Sequence, residues 1–523
     1  MKKPVPSTSL SPADAAFLYL ERKEIPLHIA SVSIFESPIP FKEFVASIRS
    51  RLHLVPRYLQ IAVVPPWNLG SPTWEYDPNF DIYKHIFHVT LDAPGGEAEL
   101  EALAGRILSH PLDRKRPLWD MHVIDGLKDG RGAIIWRLHH ALADGVSGTE
   151  LLKVMLDSTP EGPAKIGRAR YRIPPRQASK SKKDPLFETV RSSLEGLLAL
   201  ENGLLSFGQT LLDEQKRNEL KGLLDLLPEL AASVERLPFN KPCTGERKFS
   251  WTEFSLADVQ AVREAVGGTV NDIVLAVLTR ALARYVKLHG QSVVNRFVRI
   301  VCPVNLRPAD HHEGLGNQIS FLPVALPMDA GGPTRTLQAV TARTETLKHC
   351  GALGFVGLAA KWLAAAPLPL QALFWQSIPE IILPVPALNM ICTNVMGSPT
   401  PLYALGRKML AAYPQVPTGY DLGVGCAAHS YNGKLFFGLI ADTHAAPDVD
   451  RLRDFVAQSF AELREAAALE KSRGAKRTRR STAKDKQQTE AEAVAAVAPD
   501  ALGTEAKPLK AARPAMAHSK EAA

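Results

Sequence analysis

Two adjacent histidines, His139 and His140, precede Asp144 by five and four residues in the stretch Leu138-His139-His140-Ala141-Leu142-Ala143-Asp144-Gly145. Imidazole changes charge near neutral pH, which suits it to take a proton from a reacting group and return it. A general base needs a neutral ring with one nitrogen free while another group orients the second. The surroundings could supply that. Residues 133–138 are apolar and β-branched, as a strand requires, and the pattern from Ser147 through Leu151 and Leu152 starts a helix. The histidines therefore fall at a strand end, with Asp144-Gly145 turning the chain. Adjacent strand residues point to opposite faces, so one imidazole can face a cleft while its neighbour packs behind. Asp144 could orient His140 as in a triad. Gly145 serves turn geometry.

Elements on either side can hold such a pair. Upstream, residues 18–20 and 29–35 read as strands, residues 41–52 as an amphipathic helix, and residues 59–64, 74–76 and 86–89 as further strands. Residues 97–107 are helical, and residues 119–124 form a strand that pairs with 133–138 through a loop. Downstream, residues 249–254, 297–303, 319–326, 391–395 and 433–438 are strand-like, and residues 256–265 and 452–468 helical. Thr269 and Asp272 have the spacing of a capping box at the start of a helix whose buried side carries Ile273, Leu275 and Leu278. Asp272 is thus chiefly structural. The class is α/β: two domains, each a mixed sheet covered by helices. The expected organisation is a first domain over 1–160, a charged linker and helical crossover over 161–246, a second domain over 247–470, and a disordered basic, Ala-rich tail over 471–523.

Composition narrows the function. With 46% apolar and 22% charged residues the chain is globular, and 523 residues exceed one ordinary core. The net charge is +8, but residues 471–523 carry twelve Lys/Arg against six Asp/Glu, so the body is nearly neutral. Binding to nucleic acid is not expected of it; the basic segment 471–480 better suits anionic lipid. Five scattered cysteines, odd in number and without metal spacing, fit a reducing cytosol. No Gly-rich phosphate loop or Gly-x-Ser-x-Gly elbow is present in a suitable place, and no run of 18 uncharged apolar residues occurs. The apolar stretch 351–378 is interrupted by prolines and reads as a buried or membrane-touching segment.

Several stretches carry a resemblance. The opening Leu10-Ser11-Pro12-Ala13-Asp14-Ala15-Ala16-Phe17-Leu18-Tyr19-Leu20-Glu21 with Pro26-Leu27-His28, the segment Pro111-Leu112-Asp113 with Arg116-Pro117-Leu118-Trp119, and the His139-His140 motif are similar to the bacterial wax ester synthase/diacylglycerol acyltransferase family. Asn271-Asp272, Pro303-Val304-Asn305-Leu306-Arg307, Gly316-Asn317 and Thr393-Asn394-Val395-Met396-Gly397 extend the match in order along the chain. The resemblance places the chain among the CoA-dependent acyltransferases that resemble chloramphenicol acetyltransferase, with the active site in a channel between the domains. It implies transfer of a fatty acyl group from acyl-CoA to diacylglycerol, giving triacylglycerol, and to a long-chain fatty alcohol, giving wax ester. His140 would be the base, with His139, Asp144, Gly145 and Asn271 supporting it and Arg307 the structural partner of Asp144. Acyl-CoA would be a cosubstrate, with no permanently bound cofactor and no metal. The protein would be cytoplasmic, held peripherally at the inner membrane or at lipid inclusions. Acylation of a non-lipid acceptor and a non-catalytic lipid-binding role are the rival readings.

Overall fold

A computed structural model describes residues 9–66, 71–143, 145–162, 234–305, 319–349, 368–377 and 388–495. Expectations for the linker and crossover (163–233), for Asp144, for Arg307, and for Gly316 and Asn317 lie outside them, as does most of the apolar stretch 351–378.

The chain opens on α1 (Pro12–Leu20). Residues 18–20, expected as a strand, are the last turn of this helix. Ser11 caps it by accepting the Asp14 N–H at 3.0 Å, Pro12 occupies the first turn, and three alanines favour propagation. These start signals outweigh the β-preference of the run Phe17-Leu18-Tyr19-Leu20.

The first sheet is built on β1 (His28–Phe35), β4 (Ile86–Thr90), β5 (Trp119–Asp125) and β6 (Gly132–His139). A short antiparallel pair, β2 (Gln60–Val63) with β3 (Thr73–Tyr76), stands apart. Helices α2 (Phe41–Arg51), α3 (Glu97–Leu108) and α4 (Gly145–Met155) accompany them. The second half contains β7 (Arg247–Ser255), α5 (Leu256–Val266), α6 (Val270–Leu288), β8 (Phe297–Asn305), β9 (Ile319–Pro327), α7 (Pro333–His349), α8 (Leu368–Ser377) and β10 (Met390–Met396). Then come β11 (Tyr403–Ala404), β12 (Arg407–Gln415), β13 (Val424–Tyr431), β14 (Lys434–Asp442) and α9 (Val449–Ala495). No single helix among the described residues is long and apolar enough to cross a membrane.

Among the described residues two six-stranded mixed sheets result, in the orders β11-β12-β1-β6-β5-β4 and β7-β14-β13-β10-β8-β9. The two-sheet α/β architecture is the one expected from the sequence. The partition of the chain is not a simple one, however. β11 and β12 come from the C-terminal half yet complete the first sheet, β12 pairing antiparallel with β1 from Ala30 opposite Gln415 onward. A boundary near residue 247 therefore does not separate the two sheets.

Two hydrophobic cores follow. One gathers Val32, Phe35, Ile48, Leu118, Ile134 and Ile135 and extends into the second sheet through Ala427, Tyr431 and Phe436. The other wraps Ile273, Val274, Leu278 and Leu282 of α6 with Val298, Ile300, Cys426 and Phe437. Trp251 stacks on Tyr413 at 4.9 Å where the sheets meet. Contact there demands a glycine: a Cβ on Gly438 would lie 1.8 Å from the Pro414 carbonyl oxygen.

The capping box expected at α6 is present. Asp272 accepts the Thr269 N–H at 2.8 Å while its own N–H reaches the Thr269 hydroxyl at 3.2 Å, and Thr344 of α7 donates to its other oxygen at 2.7 Å. The basic segment following residue 470, expected to be disordered, continues α9 as far as Ala495. Its Ala, Lys, Glu and Gln are strong helix formers, and a composition too polar for a core can still form a helix.

Candidate active site

β6 carries the two histidines to its end, where the ladder divides them between neighbouring strands. The His139 N–H donates to Leu118 O at 3.0 Å on one side, and the His140 N–H donates to Leu27 O at 2.9 Å on the other. Alternation then separates the rings.

His139 is wholly buried. Its Nδ1 accepts the Ala141 N–H at 3.0 Å, so the ring proton sits on Nε2, which lies 3.3 Å from Glu21 Oε1. Glu21 also accepts the Leu27 N–H at 3.0 Å and Arg114 Nε–H at 3.0 Å. Burial works against its charge, but the His139 contact, the Arg114 guanidinium and the Leu27 N–H together hold its carboxyl at about 2. This buried carboxylate ties the end of α1, the approach to β1, the loop before β5 and the end of β6 to one point.

His140 turns the other way, onto a largely apolar cavity of about 180 Å³. Phe17 of α1 stacks on its ring, with centroids 4.0 Å apart and planes at 10°. The cavity wall on this side comprises Ile29 and Ser31 of β1, Trp136 and Leu138 of β6, and Gly148, Leu151 and Leu152 of α4. The opposite wall is the second sheet: Pro303 of β8, Thr393 and Val395 of β10, and His429 of β13. His429 Nδ1 lies 3.2 Å from Val395 O, which can only accept, so Nε2 keeps the lone pair. Burial pushes this imidazole down to about 4. A Cβ on Gly397 would stand 2.2 Å from its Cε1, so the ring occupies space that only a glycine leaves open.

The same cavity is lined by an ion pair: Arg137 of β6 grips Asp120 of β5 through two bonds of 2.9 and 2.5 Å and donates to Ile107 O and His110 O at 2.6 and 2.7 Å. Burial opposes the Asp120 charge, yet Arg137 and His122 hold it well below the carboxylate range. His28 opposes His139 across β1 and β6, and neither of its ring nitrogens has a hydrogen-bond partner. Burial, then the Arg137 charge, pushes it down to about 3.

Of the residues singled out in the sequence, His139 and His140 come together here, and Gly145 begins α4 a short turn later. Asn271, half-buried on α6, is not among the described lining residues. Asp272 is a helix cap. Sequence reasoning missed Phe17, Glu21, Arg114, Arg137, His28 and His429. Phe17 and Glu21 stand in the opening motif, their spacing of four being the only signal available. No group of His, Cys, Asp and Glu placed to hold a metal occurs among the described residues.

A strand-end histidine on a cavity between two mixed sheets is an arrangement that can serve acyl transfer. The family model "Wax ester synthase/diacylglycerol acyltransferase catalytic domain" matches residues 10–274, and "WS/DGAT C-terminal domain" matches residues 315–464. The chain belongs to this family and is an O-acyltransferase using acyl-CoA donors. Similar proteins include the "Probable diacyglycerol O-acyltransferase tgs1" of Mycobacterium tuberculosis H37Rv, 29% identical over 486 residues, covering 90% of this chain and 98% of that one. A solved structure, the wax ester synthase/diacylglycerol acyltransferase of Marinobacter aquaeolei VT8, shares 25% identity with a TM-score of 0.61, covering 88% of this chain and 100% of the other. The first condensation domain of the calcium-dependent antibiotic synthetase, at 14% identity and a TM-score of 0.55, shares the fold.

Proposed function

We propose that this enzyme moves a fatty acyl group from acyl-CoA to the free hydroxyl of diacylglycerol and also to that of a long-chain alcohol, with His140 as general base. The acceptor oxygen attacks the thioester carbonyl as the imidazole takes its proton. The tetrahedral intermediate then expels the CoA sulfur, which receives that proton from His140. The thioester is already activated, so no acyl-enzyme is needed.

The supporting observation is the division of labour among the histidines at this junction. The Nδ1 of His139 is occupied by the Ala141 N–H, and its other nitrogen faces Glu21. His28, at about 3, and His429, at about 4, are weak proton acceptors. His140 lines the cavity at a strand end and is held there by Phe17. In this reading Asp144 and Gly145 set the turn after it, Arg307 partners Asp144, and His139 and Asn271 shape the surroundings. Because both acceptors and the acyl donor carry long chains, the enzyme works at a membrane or lipid-inclusion surface, where they collect. Flotation with anionic vesicles, at low and high salt, tests that placement.

The reaction is tested with the full-length enzyme and palmitoyl-CoA, supplied separately with diacylglycerol, hexadecanol, an alkylamine or no acceptor, following thiol release and separating products. Ester from diacylglycerol and hexadecanol is expected. Ester from neither, or amide alone, overturns the function.

A further inference from the structure

We propose that α1 is a clamp on the histidine doublet, in which Phe17 is a positioning residue that holds His140 and favours its ring once it has taken the acceptor proton. The inference rests on His140 being the base.

Phe17 and Glu21 stand four residues apart, the spacing that brings two side chains to one side of a helix. Their partners are neighbours in sequence: Phe17 lies on the His140 ring, and Glu21 faces His139 Nε2. One helix end thus engages both imidazoles. The Glu21 contact is fixed by a carboxylate that also binds Leu27 and Arg114, so it anchors the helix to the strand end. With that anchor in place, Phe17 has little freedom to leave the His140 ring.

The chemistry follows from the stack. A phenyl face carries negative quadrupole density and attracts a cation held within about 6 Å of its centroid; here the separation is 4.0 Å. A neutral imidazole gains only dispersion from this contact. The imidazolium, formed as the acceptor oxygen attacks, gains the electrostatic attraction as well. An interaction stronger in the transition state than in the ground state raises turnover without tightening substrate binding.

The test compares Phe17→Leu, which keeps an apolar cover but removes the ring, with Phe17→Tyr, which keeps the ring face; Phe17→Met replaces the leucine variant should that fail to fold. Steady-state rates are measured against palmitoyl-CoA and diacylglycerol over a range of pH. Phe17→Leu should lose kcat by roughly tenfold, the equivalent of a partly desolvated cation–π contact, with KM for palmitoyl-CoA nearly unchanged. Phe17→Tyr should recover most of that loss. The stack stabilises the charged ring, so its removal lets the free base form at lower pH, and the acid limb of the kcat profile should move to lower pH. A merely structural loosening would instead admit water, favour the charged form and move the limb upward.

In a His140→Ala background Phe17→Leu should have no further effect on the residual rate. Unchanged kcat and pH profile in Phe17→Leu, or equal losses in the leucine and tyrosine variants, would overturn the clamp while leaving His140 as base. Full activity in His140→Ala would instead overturn the base assignment, and the positioning role with it.

Discussion

The two walls of the cavity are held in place by different forces. The wall from the first sheet is braced by charge: Glu21 with Arg114 beside His139, and Asp120 with Arg137, the latter pair among the lining residues themselves. The wall from the second sheet has no charged side chain among its described lining residues. There His429, held neutral by burial, is wedged against Gly397 and tied to Val395 O. The difference matches what each wall must do. A wall that carries a proton acceptor must keep one ring aligned while its charge changes, and buried ion pairs with several hydrogen bonds resist displacement when partners stay intact. A wall that only confines substrate can be shaped by volume. Charge removal should therefore damage the first wall most, and added volume the second.

The largest effect is expected at the reacting ring. His140→Ala should cut thiol release by roughly 10²–10⁴-fold, the usual contribution of general acid–base catalysis, with the fold intact. His429→Leu, on the opposite wall, should cost less than about tenfold, because a ring at about 4 contributes little as a base. Equal losses in the two variants, each with a native circular dichroism spectrum, would erase the proposed difference between the walls.

Glu21→Ala sharpens the same contrast in stability. It leaves Arg114 without its carboxylate partner and removes the carboxylate that lies 3.3 Å from the buried His139 Nε2. Arg114 is partly exposed and keeps its bond to Leu18 O, so the cost falls short of that for a fully buried pair, at about 1–3 kcal/mol. Urea melts measure this directly; a loss below about 1 kcal/mol, the range of surface pairs, would show that charge does not hold the first wall.

On the second wall the corresponding change is one methyl group. Gly397→Ala places a Cβ 2.2 Å from His429 Cε1 and 2.6 Å from the Ser430 carbonyl oxygen. Overpacking of this kind costs about 1–3 kcal/mol. If the imidazole is the principal obstacle, pairing the change with His429→Ala should recover part of that cost, a coupling visible in a double-mutant cycle. Strict additivity would assign the clash to the backbone contact alone.

The walls also differ in how far the sequence revealed them. β1, β5 and β6 were legible because runs of apolar and β-branched residues lie between turn residues, and the strand end at His139 followed from Asp144-Gly145. The α6 start was legible because capping is a local hydrogen-bond pattern, Thr269 to Asp272. β13 was not: Gly425-Cys426-Ala427-Ala428 is made of small residues, with none of the β-branched or aromatic side chains that mark a strand. The membership of β12 in the first sheet was not legible either, since pairing with β1 is a contact between residues nearly 400 positions apart. The roles of Glu21 and His429 depend on what burial brings beside them. A lone histidine in sequence looks the same whether it is wedged or reactive.

The smallest effect expected is at the seam between the walls. Glu101 of α3 accepts the Ser250 hydroxyl at 2.8 Å and the Trp251 N–H at 3.2 Å, both on β7, with Arg453 of α9 at 3.7 Å. Burial pushes its carboxyl up to about 7, outweighing these three partners, from an ordinary value of 4.5. The folded state therefore holds a proton that the unfolded chain has released throughout the interval between those values. Stability contributed here is present below the lower value, declines as pH rises through the interval, and is flat above about 7. Glu101→Gln keeps an acceptor for Ser250 and Trp251 but cannot ionise. Relative to the wild type it should gain stability between pH 5 and 7, on the order of 1–3 kcal/mol, and no more beyond that. Urea melts of both proteins at pH 5, 6, 7 and 8 measure the difference. A gap that does not change with pH would mean that Glu101 is ionised throughout, and that the seam, like the first wall, is held by charge.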